Sequence, residues 1–357
     1  MTTIVNFMPV YAQAPVAQTL LERDVDAAAA AVRSLTGDVV VLVSSACTVA
    51  EKLARELDGA ARVVGCDPSL GHIWGNESAV CAYLEDRRMM PSAPAGTSSE
   101  ARVVSAAELM AADGKRWVWV DGAAEPVELA ATVTCANLAE AAGVASPKAV
   151  YVGFPASTFY APDATVEMTS DYVRVYGAKN CMARALREVC EANRRECCGR
   201  CVYGYEGGHQ ITAILTDVCN GRGRSGDVEL VRDLAPVMEA QSLCEQGSAL
   251  ARAAKSAIEL FGTEIERHYS RKACDAGECD AFMTFHILPD KCVGCGECAD
   301  VCEEEAILGK NRFVHVIDQK ACTKCGACVA ACEEGAIIRA GADKPRTPPR
   351  PIPCKRR

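Results

Sequence analysis

Long apolar runs are missing from this sequence. None approaches the roughly 18 residues that a membrane-spanning helix needs, and the stretch DVVVLVSSA, residues 38–46, predicts one buried strand instead. Charge is absent before Glu22, so the start lacks the basic region of a secretory signal. We therefore expect a protein of the reducing cytoplasm, without membrane insertion and with free rather than disulfide-bonded cysteines.

Positive charge is also scarce. Lys and Arg number 38 against 47 Asp and Glu, a net charge of −9, which argues against a nucleic-acid partner. The one basic cluster is the tail KPRTPPRPIPCKRR, residues 344–357. Its prolines predict an extended, unpacked segment, either a disordered end or a strap on a partner subunit.

Cysteine, by contrast, is abundant, with 22 of 357 residues. Residues 292–302, CVGCGECADVC, and 322–332, CTKCGACVAAC, each read C-x2-C-x2-C-x3-C, and the two copies lie 30 residues apart. Each copy predicts a ligand loop followed by a short helix and a strand. This duplication is the strongest functional signal in the chain.

This cysteine spacing predicts two [4Fe–4S] clusters, each of which takes ligands from both copies. Three closely spaced thiolates hold three corners of one cube, and the fourth cysteine of the copy ligates the other cube. The predicted sets are Cys292, Cys295, Cys298 and Cys332 for one cluster, and Cys322, Cys325, Cys328 and Cys302 for the second. Four small residues in the loops, Gly294, Gly296, Gly326 and Ala327, let backbone N–H groups approach the sulfides.

Zinc knuckles are the structural alternative, but zinc sites usually combine two C-x2-C pairs or include histidine. The segment resembles the bacterial two-cluster ferredoxin, with Glu303 and Glu333 where that family usually has proline. Carboxylates that point inward would make the clusters harder to reduce and so lower their potentials.

A further cysteine motif occupies residues 196–208, ECCGRCVYGYEGG, with Cys198 and Cys201 at metal-binding spacing and Gly204 where a third thiolate would follow. Cys244 lies further along, in SLCEQG, residues 242–247. Helical periodicity at residues 182–195, 209–220, 228–240 and 248–261 predicts a four-helix bundle around these cysteines, with Gly221, Gly223, Gly226 and Gly247 as breaks.

These residues resemble a family: the NADH-oxidising flavoprotein subunit of respiratory complex I and, more closely, the corresponding subunit of soluble multimeric, electron-bifurcating hydrogenases. The family pattern reads E-S-C-G-x-C-x-P-C-R-x-G, followed later by S-L-C-x-x-G. It matches here at Glu196, Cys198, Gly199, Cys201, Glu206, Gly207 and the SLCEQG segment. Gly204 falls on the family's third cluster cysteine.

The resemblance implies a third iron–sulfur cluster on Cys198, Cys201 and Cys244, with an unknown fourth ligand. Candidates for that ligand are Cys197, Tyr203, Tyr205, His209, water or a partner subunit. The cluster is either a [4Fe–4S] with a substitute ligand or a [3Fe–4S]. In the alternative, the cluster is lost and the remaining thiols pack as small hydrophobes.

A zinc site is predicted from RHYSRKACDAGECDAF, residues 267–282, where His268, Cys274 and Cys279 lie within twelve residues. The hydrogenase relatives carry a similar His-x5-Cys-x4-Cys segment, completed by a cysteine seventeen residues before the first cluster ligand. Cys181 occupies that position here, since 198 minus 17 is 181. The resemblance thus implies a structural zinc; the alternatives are a surface histidine and a free-thiol loop.

Clustered glycine is lacking in the front half. The family cradles its flavin phosphate with a long glycine-rich loop, yet only Gly37, Gly59 and Gly65 precede residue 70. The segment GNESAVCAYLEDRRMMPSAP, residues 75–94, resembles the family's Gly-Glu-Glu-Thr-Ala-Leu region, with Asn76 replacing the first glutamate and Glu77 keeping the second. We infer that flavin and NADH binding are lost, and expect no FMN or NAD.

The expected fold class is an α+β multidomain protein with six regions. They are a reduced α/β, flavin-domain-like region (1–112), a ubiquitin-like β-grasp domain (113–178), a helical bundle with an iron–sulfur site (179–265), a zinc-binding connector (266–285), a two-cluster ferredoxin domain (286–341) and a basic proline-rich tail (342–357).

The expected function is electron transfer without bond chemistry, inside a multisubunit anaerobic oxidoreductase. The resemblance implies a thioredoxin-like [2Fe–2S] subunit and a large catalytic subunit, of hydrogenase or formate dehydrogenase type, as partners, with soluble ferredoxin as a further candidate. Two alternatives stay open: an NAD(P)H or ferredoxin oxidoreductase with flavin at an unrecognised site around residues 70–95, and a docking scaffold in which only the ferredoxin module is redox-active.

Overall fold

The computed structural model describes residues 1–9, 11, 14–341 and 343–354. The chain divides into two compact units: a front unit, Met1–Thr216 with Gly226–Gly262, and a C-terminal unit, Asp217–Ser225 with Thr263–Arg357. In the described part of the chain no helix combines the length and apolarity required to cross a membrane.

The front unit begins with a four-stranded parallel sheet in the order β3-β2-β1-β4. Its strands are β1 (Thr2–Asn6), β2 (Val39–Ser44), β3 (Arg62–Cys66) and β4 (Ala101–Ser105). The helices between them are α1 (Val16–Arg23), α2 (Val25–Arg33), α3 (Ala50–Glu56) and α4 (Glu77–Leu84), with a 3-10 segment at Pro68–Gly75.

The strand predicted from the apolar run 38–46 is β2, and every residue of it is buried. Val41 packs on one face of the sheet against α1, α2 and α3, whereas Leu42 packs on the other face with Trp74 and Val80. In a strand that is covered on both faces, nearly every side chain is apolar. The sequence therefore shows a continuous apolar run here, and the strand could be predicted from it.

A five-stranded mixed sheet follows, in the order β6-β5-β11-β8-β9, with β5 and β11 adjacent and parallel. The elements here are α5 (Ala106–Leu109), β5 (Lys115–Val120), β6 (Val127–Ala130), β7 (Thr132–Thr134), α6 (Cys135–Ala141), β8 (Pro147–Val152), β9 (Thr158–Tyr160), β10 (Thr165–Glu167) and β11 (Tyr172–Gly177). α6 packs its buried Leu138 against this sheet.

The middle of the chain forms four helices: α7 (Met182–Arg195), α8 (Gly208–Cys219), α9 (Asp227–Gln241) and α10 (Glu245–Ser270). They fall on the four periodic stretches of the sequence. α10 is longer than predicted, and Gly247 lies in its first turn rather than breaking it. Its commonest residues are Ala and Glu, which favour helix.

The C-terminal unit contains the duplicated segment. Its elements are a 3-10 turn (Asp280–Phe282), β12 (Thr284–Ile287), α11 (Glu297–Asp300), β13 (Ile307–Leu308), β14 (Phe313–Val314), β15 (Val316–Ile317), α12 (Ala327–Ala331), β16 (Ile337–Ala340) and β17 (Ile352–Pro353). Three antiparallel pairs, β12-β16, β13-β15 and β14-β17, enclose a core that includes cysteine side chains.

The tail is not the unpacked segment that its prolines predict. Ile352 and Pro353 form β17, which pairs with β14 inside the C-terminal unit. The backbone N–H of Cys354 continues the pairing by donating to the carbonyl of Arg312 at 2.9 Å. Proline is compatible with this position because an edge strand leaves half of its N–H groups unused. Residues 355–357 of the basic cluster lie outside the described residues.

Candidate iron–sulfur and metal sites

Two cavities in the C-terminal unit are each lined by four cysteine side chains. Each set combines the first three cysteines of one copy with the last cysteine of the other. The sets are Cys292, Cys295, Cys298 and Cys332 in the first cavity, and Cys302, Cys322, Cys325 and Cys328 in the second. The structure thus brings together the same crossed groups that the spacing predicts as ligands.

Thiols within each group influence one another's ionisation. Burial raises the pKa of Cys298 to about 12, and among thiols of the other copy Cys332 adds most to that rise. Burial also raises the pKa of Cys328, and there the contribution from the other copy comes from Cys302. Since iron binds thiolates, loading these groups must release protons. Eight thiols in two such groups fit iron–sulfur clusters.

Backbone geometry at the first loop depends on glycine. Gly294 has φ +75°, and a Cβ added there would lie 2.7 Å from the amide nitrogen of Phe313. The matching residue of the second copy is Lys324, which takes a left-handed φ of +65° without being glycine. Its Nζ donates to the carbonyl of Ala281 at 2.7 Å, a contact that helps to hold this conformation. Sequence reasoning overlooked Lys324.

Polar side chains line both cavities. Glu303 and Glu304 border the second cavity, and Glu334 borders the first. The first cavity also contains His315, which is 3% exposed and whose Nδ1 makes no hydrogen bond within the described residues. His315 lies between the two copies in sequence, outside any motif, so no sequence signal marked it.

The tail brings a ninth cysteine to this region. Burial, followed by the charge of the neighbouring Cys292 thiol, raises the pKa of Cys354. Cys354 also packs against the buried core of this unit. It escaped prediction because its place beside the first cavity depends on the pairing of β14 with β17.

The third set of cysteines, in the front unit, sits where helices begin and end. α7 ends at Arg195, and Cys198 and Cys201 occupy the loop before a π-helical turn, Tyr203–Gly207, that leads into α8. Cys244 is buried between α9 and α10. The pKa of Cys244 is raised to about 11, mainly by burial and to a smaller extent by the Cys198 thiol.

Gly204 occupies the place of the family's missing cysteine. Its backbone N–H donates to Sγ of Cys201 at 3.3 Å, the kind of bond that stabilises a thiolate ligand. Among the candidate replacement ligands, Tyr203 is 38% and Tyr205 51% exposed, and His209 is also exposed. Cys197 is half-buried and electrostatically coupled to Cys198 and Cys201. Three matched thiols with a fourth beside them fit a cluster.

Glu196 anchors the start of this loop to the front of the chain. Oε2 of Glu196 accepts from the backbone N–H of His72 at 3.2 Å and lies 3.0 Å from Nδ1 of the same histidine. Gly71, with φ +59°, makes room for it, because a Cβ there would overlap the carboxylate. The sequence matched Glu196 to the family without indicating this contact.

Glu245 anchors the other end, beside Cys244. Its carboxylate accepts from Nδ2 of Asn76 at 3.1 Å and from the backbone N–H of Ala95. Asn76 is 3% exposed and also caps α4, accepting from the backbone N–H of Ala79. A glutamate at position 76 would oppose Glu245 with like charge, so the replacement by Asn suits this partner.

The zinc candidates of the C-terminal unit lie together. The ligand atoms of His268, Cys274 and Cys279 all lie within 4.8 Å of one another, and the three residues are buried. Nε2 of His268 is 3.5 Å from Sγ of Cys279. Tetrahedral zinc with bonds of roughly 2.0 Å to nitrogen and 2.3 Å to sulfur puts such atoms about 3.5 Å apart. This donor set therefore fits zinc.

The other ring nitrogen orients that histidine. Nδ1 of His268 lies 3.1 Å from the carbonyl oxygen of Glu264, one turn earlier in α10. A backbone acceptor at Nδ1 fixes the tautomer and leaves Nε2 to a metal. Cys181, the proposed fourth ligand, belongs to the front unit, where it is buried at the N-cap of α7.

A cavity of about 310 Å³ borders Glu196 in the front unit. Its walls include four tyrosines, Tyr11, Tyr151, Tyr172 and Tyr176, together with His72 and Gln246. The hydroxyl of Tyr176 and Oε1 of Gln246 are buried without a hydrogen-bond partner in the described residues. Small-molecule sites usually range from about 300 to 1,000 Å³, so this cavity is at the small end.

Comparison with known proteins defines the class. Residues 184–268 match the family model of the NADH-ubiquinone oxidoreductase-F iron-sulfur binding region, and residues 291–337 match the 4Fe-4S dicluster domain. These two regions belong to iron–sulfur domain families, and the resemblance drawn from the cysteine motifs is confirmed.

Individual relatives match parts of the chain. The chain is 32% identical over 148 residues to the NADP-reducing hydrogenase subunit HndC of Solidesulfovibrio fructosivorans, covering 42% of this chain and 30% of that protein. It is 26% identical over 96 residues to the mitochondrial NADH-ubiquinone oxidoreductase 51 kDa subunit of Neurospora crassa, covering 27% of this chain and 20% of that protein.

A third relative, the NADP(+)-dependent formate dehydrogenase subunit beta of Moorella thermoacetica, is 34% identical over 81 residues, 23% of this chain and 12% of that protein. The matches thus span less than a third of each of these relatives. Among solved structures, a chain of an NAD+-reducing [NiFe]-hydrogenase in the H2-reduced state superposes with a TM-score of 0.61. It is 14% identical and is matched over 75% of this chain and 57% of that one, which shows a shared fold.

Proposed function

We propose that this chain is an electron-transfer subunit of a multisubunit oxidoreductase and carries three iron–sulfur clusters. The observation that supports this most directly is the pair of cavities, each lined by one crossed set of four cysteines. When bound, iron–sulfur clusters supply one-electron carriers. Cys295 and Cys325 are exposed, so one corner of each ferredoxin set faces the surface, where a redox partner has access.

The chain's own groups set the electrostatics at these positions. Cysteine thiolates hold the irons, and backbone N–H groups stabilise the ligand sulfurs, as the amide of Ala336 does by donating to Sγ of Cys332 at 3.4 Å. Glu303 and Glu304 add negative charge at the second cavity. That charge disfavours the reduced, more negative state of a bound cluster.

In the front unit, Cys198, Cys201 and Cys244 hold the third cluster. Glu196 and Glu245 fix the two chain segments that carry these cysteines, through His72, Asn76 and Ala95. Because these polar contacts position both segments, we infer that the front half holds the ligands of this cluster in place.

A structural zinc is the fourth metal centre. Its ligands in this proposal are His268, Cys274 and Cys279. Cys181 completes the set, because it lies seventeen residues before Cys198, where the hydrogenase relatives have the fourth ligand. Four protein ligands leave no position for a substrate, so the zinc is architectural.

The finer architecture that we propose follows the sequence-based boundaries. The parallel sheet of residues 1–112 represents a reduced flavin-domain-like layer without a phosphate loop, and residues 113–178 form a β-grasp domain, an interpretation supported by the adjacent, parallel β5 and β11. α7 to α10 form the cluster-bearing bundle. No flavin or NAD is bound in this proposal.

The partners that we propose are a thioredoxin-like [2Fe–2S] subunit, a large catalytic subunit and soluble ferredoxin. HndC and the Moorella protein are by name subunits of a hydrogenase and a formate dehydrogenase, which supports a catalytic subunit of that kind. We place the complex in the cytoplasm of an anaerobic cell.

In one alternative function, the chain is part of an enzyme that binds flavin. The cavity beside Glu196 has aromatic walls and two buried polar atoms without a hydrogen-bond partner among the described residues, features that favour a flat polar ligand such as a flavin over an empty space. A flavin there would make the chain an NAD(P)H or ferredoxin oxidoreductase subunit. The scaffold alternative instead predicts that only the ferredoxin module contains iron.

Anaerobic analysis of iron, sulfide, zinc and flavin, with EPR of the reduced protein, separates these functions. The proposal predicts about 12 irons per chain, since each cube holds four, together with one zinc and no flavin. About 8 irons would favour the scaffold, and stoichiometric flavin would restore the enzyme.

Zinc is tested by His268→Ala. This variant is expected to lose most of its zinc and to retain its iron, because His268 contributes to the zinc set alone. His209→Ala, at an exposed histidine of the front unit, is the matched control. Full zinc content in His268→Ala would contradict the site.

A further inference from the structure

The gap at position 204 raises the question of what replaces the missing ligand. A Cβ added to Gly204 would lie 3.0 Å from Sγ of Cys201 and 3.7 Å from Sγ of Cys197. The Cys197 thiol therefore lies in contact with the space that a side chain at position 204 would enter. The remaining near neighbour of that position is Cα of Gly247, also at 3.7 Å.

Backbone packing closes the same space from the other side. A Cβ on Gly247 would lie 2.9 Å from Cα of Gly204, so the SLCEQG segment and the π-helical turn touch through two glycines. With the backbones this close, a cysteine at position 204 would require Sγ of Cys201 to move by a few tenths of an ångström. Because Gly204 has no side chain, the thiol of Cys197 lies beside open space.

Burial points to the same residue. Cys197 is half-buried. Tyr203, Tyr205 and His209 are instead exposed to solvent, with the two tyrosines more than one-third accessible. Of the protein side chains that are candidates, Cys197 is the one partly buried among the other ligands.

We propose that Cys197 is the fourth ligand of the third cluster, so that the site is held by Cys197, Cys198, Cys201 and Cys244. This inference rests on the proposed function, which supplies the cluster itself. The chain has moved a thiol from one end of the motif to the other: the pattern that it resembles has serine at the position of Cys197 and cysteine at that of Gly204. The ligand count stays at four, while two adjacent cysteines now bind one cluster.

The test compares Cys197→Ala with Cys81→Ala in the full-length protein. Cys81 is also half-buried in the front unit and lies outside every proposed ligand set. Cys197→Ala is expected to fall from about 12 irons to about 11, with a [3Fe–4S] signal in the oxidised protein, or to about 8. Cys81→Ala is expected to match the wild type. Zinc content and the EPR signals of the ferredoxin clusters report that the variants are folded.

A second variant, Cys197→Ser with Gly204→Cys, returns the thiol to position 204 and is expected to recover the lost iron. Three results would overturn the assignment: unchanged iron and EPR in Cys197→Ala, equal iron loss in Cys81→Ala, or no recovery in the folded double variant. About 8 irons in the wild type would refute the third cluster itself, a result distinct from retention of about 12 irons in Cys197→Ala.

Discussion

At the scale of single residues, several side chains act through the backbone segments that they hold rather than as ligands. Asn76 is the clearest case. Its Nδ2 donates to the carbonyl of Ala93 at 2.9 Å and to the Glu245 carboxylate, and its Oδ1 caps α4. One buried side chain thereby connects three segments near the Cys244 ligand candidate.

Asn76→Asp should destabilise the front unit, because it removes both N–H donors and places a buried carboxylate against the carboxylate of Glu245. We expect a loss of about 2 to 3 kcal/mol and a fall of about 5 °C or more in the unfolding midpoint followed by circular dichroism. Asn137→Asp is the control, since Asn137 is exposed and accepts from Thr134 through its oxygen. Equal midpoints for the two variants would show that the contact with Glu245 contributes little.

Glu303 and Glu304 should tune the second ferredoxin cluster. Replacing both with Gln removes negative charge beside the second cavity, so the reduced state is stabilised and the potential rises. Because both side chains are exposed and screened by solvent, the rise should be modest, roughly a few tens of millivolts. An EPR-monitored redox titration measures it, with Glu229→Gln in the front unit as the control. A fall in potential would contradict the electrostatic argument.

At the scale of elements, β17 changes what the tail does. A segment predicted as unpacked contributes a strand to the ferredoxin core and brings Cys354 beside Cys292. Two hydrogen-bonded residues form a weak strand by themselves, so the pairing depends on β14 already being in place.

Truncation after Asp343 should uncover the first cavity. We expect this variant to lose iron in air several-fold faster than the wild type, followed by the fading of cluster absorbance. Truncation after Cys354 retains β17 and is expected to match the wild type. The prediction fails if both truncations lose iron at the same rate.

At the scale of the whole molecule, the proposed cluster ligands divide between the units. Cys198, Cys201 and Cys244 belong to the front unit, and both ferredoxin sets belong to the C-terminal unit. Each compact unit has its own buried core, so damage to one ligand set should spare the other.

Cys244→Ala tests this independence. It is expected to remove the third cluster, about 4 of 12 irons, and to leave the EPR signals of the ferredoxin clusters unchanged. Cys298→Ala serves as the reciprocal variant, with loss of ferredoxin signals and retention of the third cluster. Loss of every cluster in either variant would show that the two units load together.

The sequence by itself determined the repeated cysteine spacing, the crossed grouping of the cysteines, the resemblance to iron–sulfur families, β2 and the positions of the four helices. These features are local: a thiolate spacing, a strand buried on both faces and a 3.6-residue period are each written in consecutive residues. Gly204 was visible as a gap for the same reason.

Only the tertiary structure decided which groups meet across the chain. The thiol of Cys197 beside Gly204, the anchoring of Glu196 by His72 and of Glu245 by Asn76, His315 at the first cavity and the pairing of the tail all join segments distant in sequence or depend on the exact path of a turn. Such contacts arise from packing, in which a side chain's neighbours are set by the folding of the whole unit rather than by its own stretch of sequence.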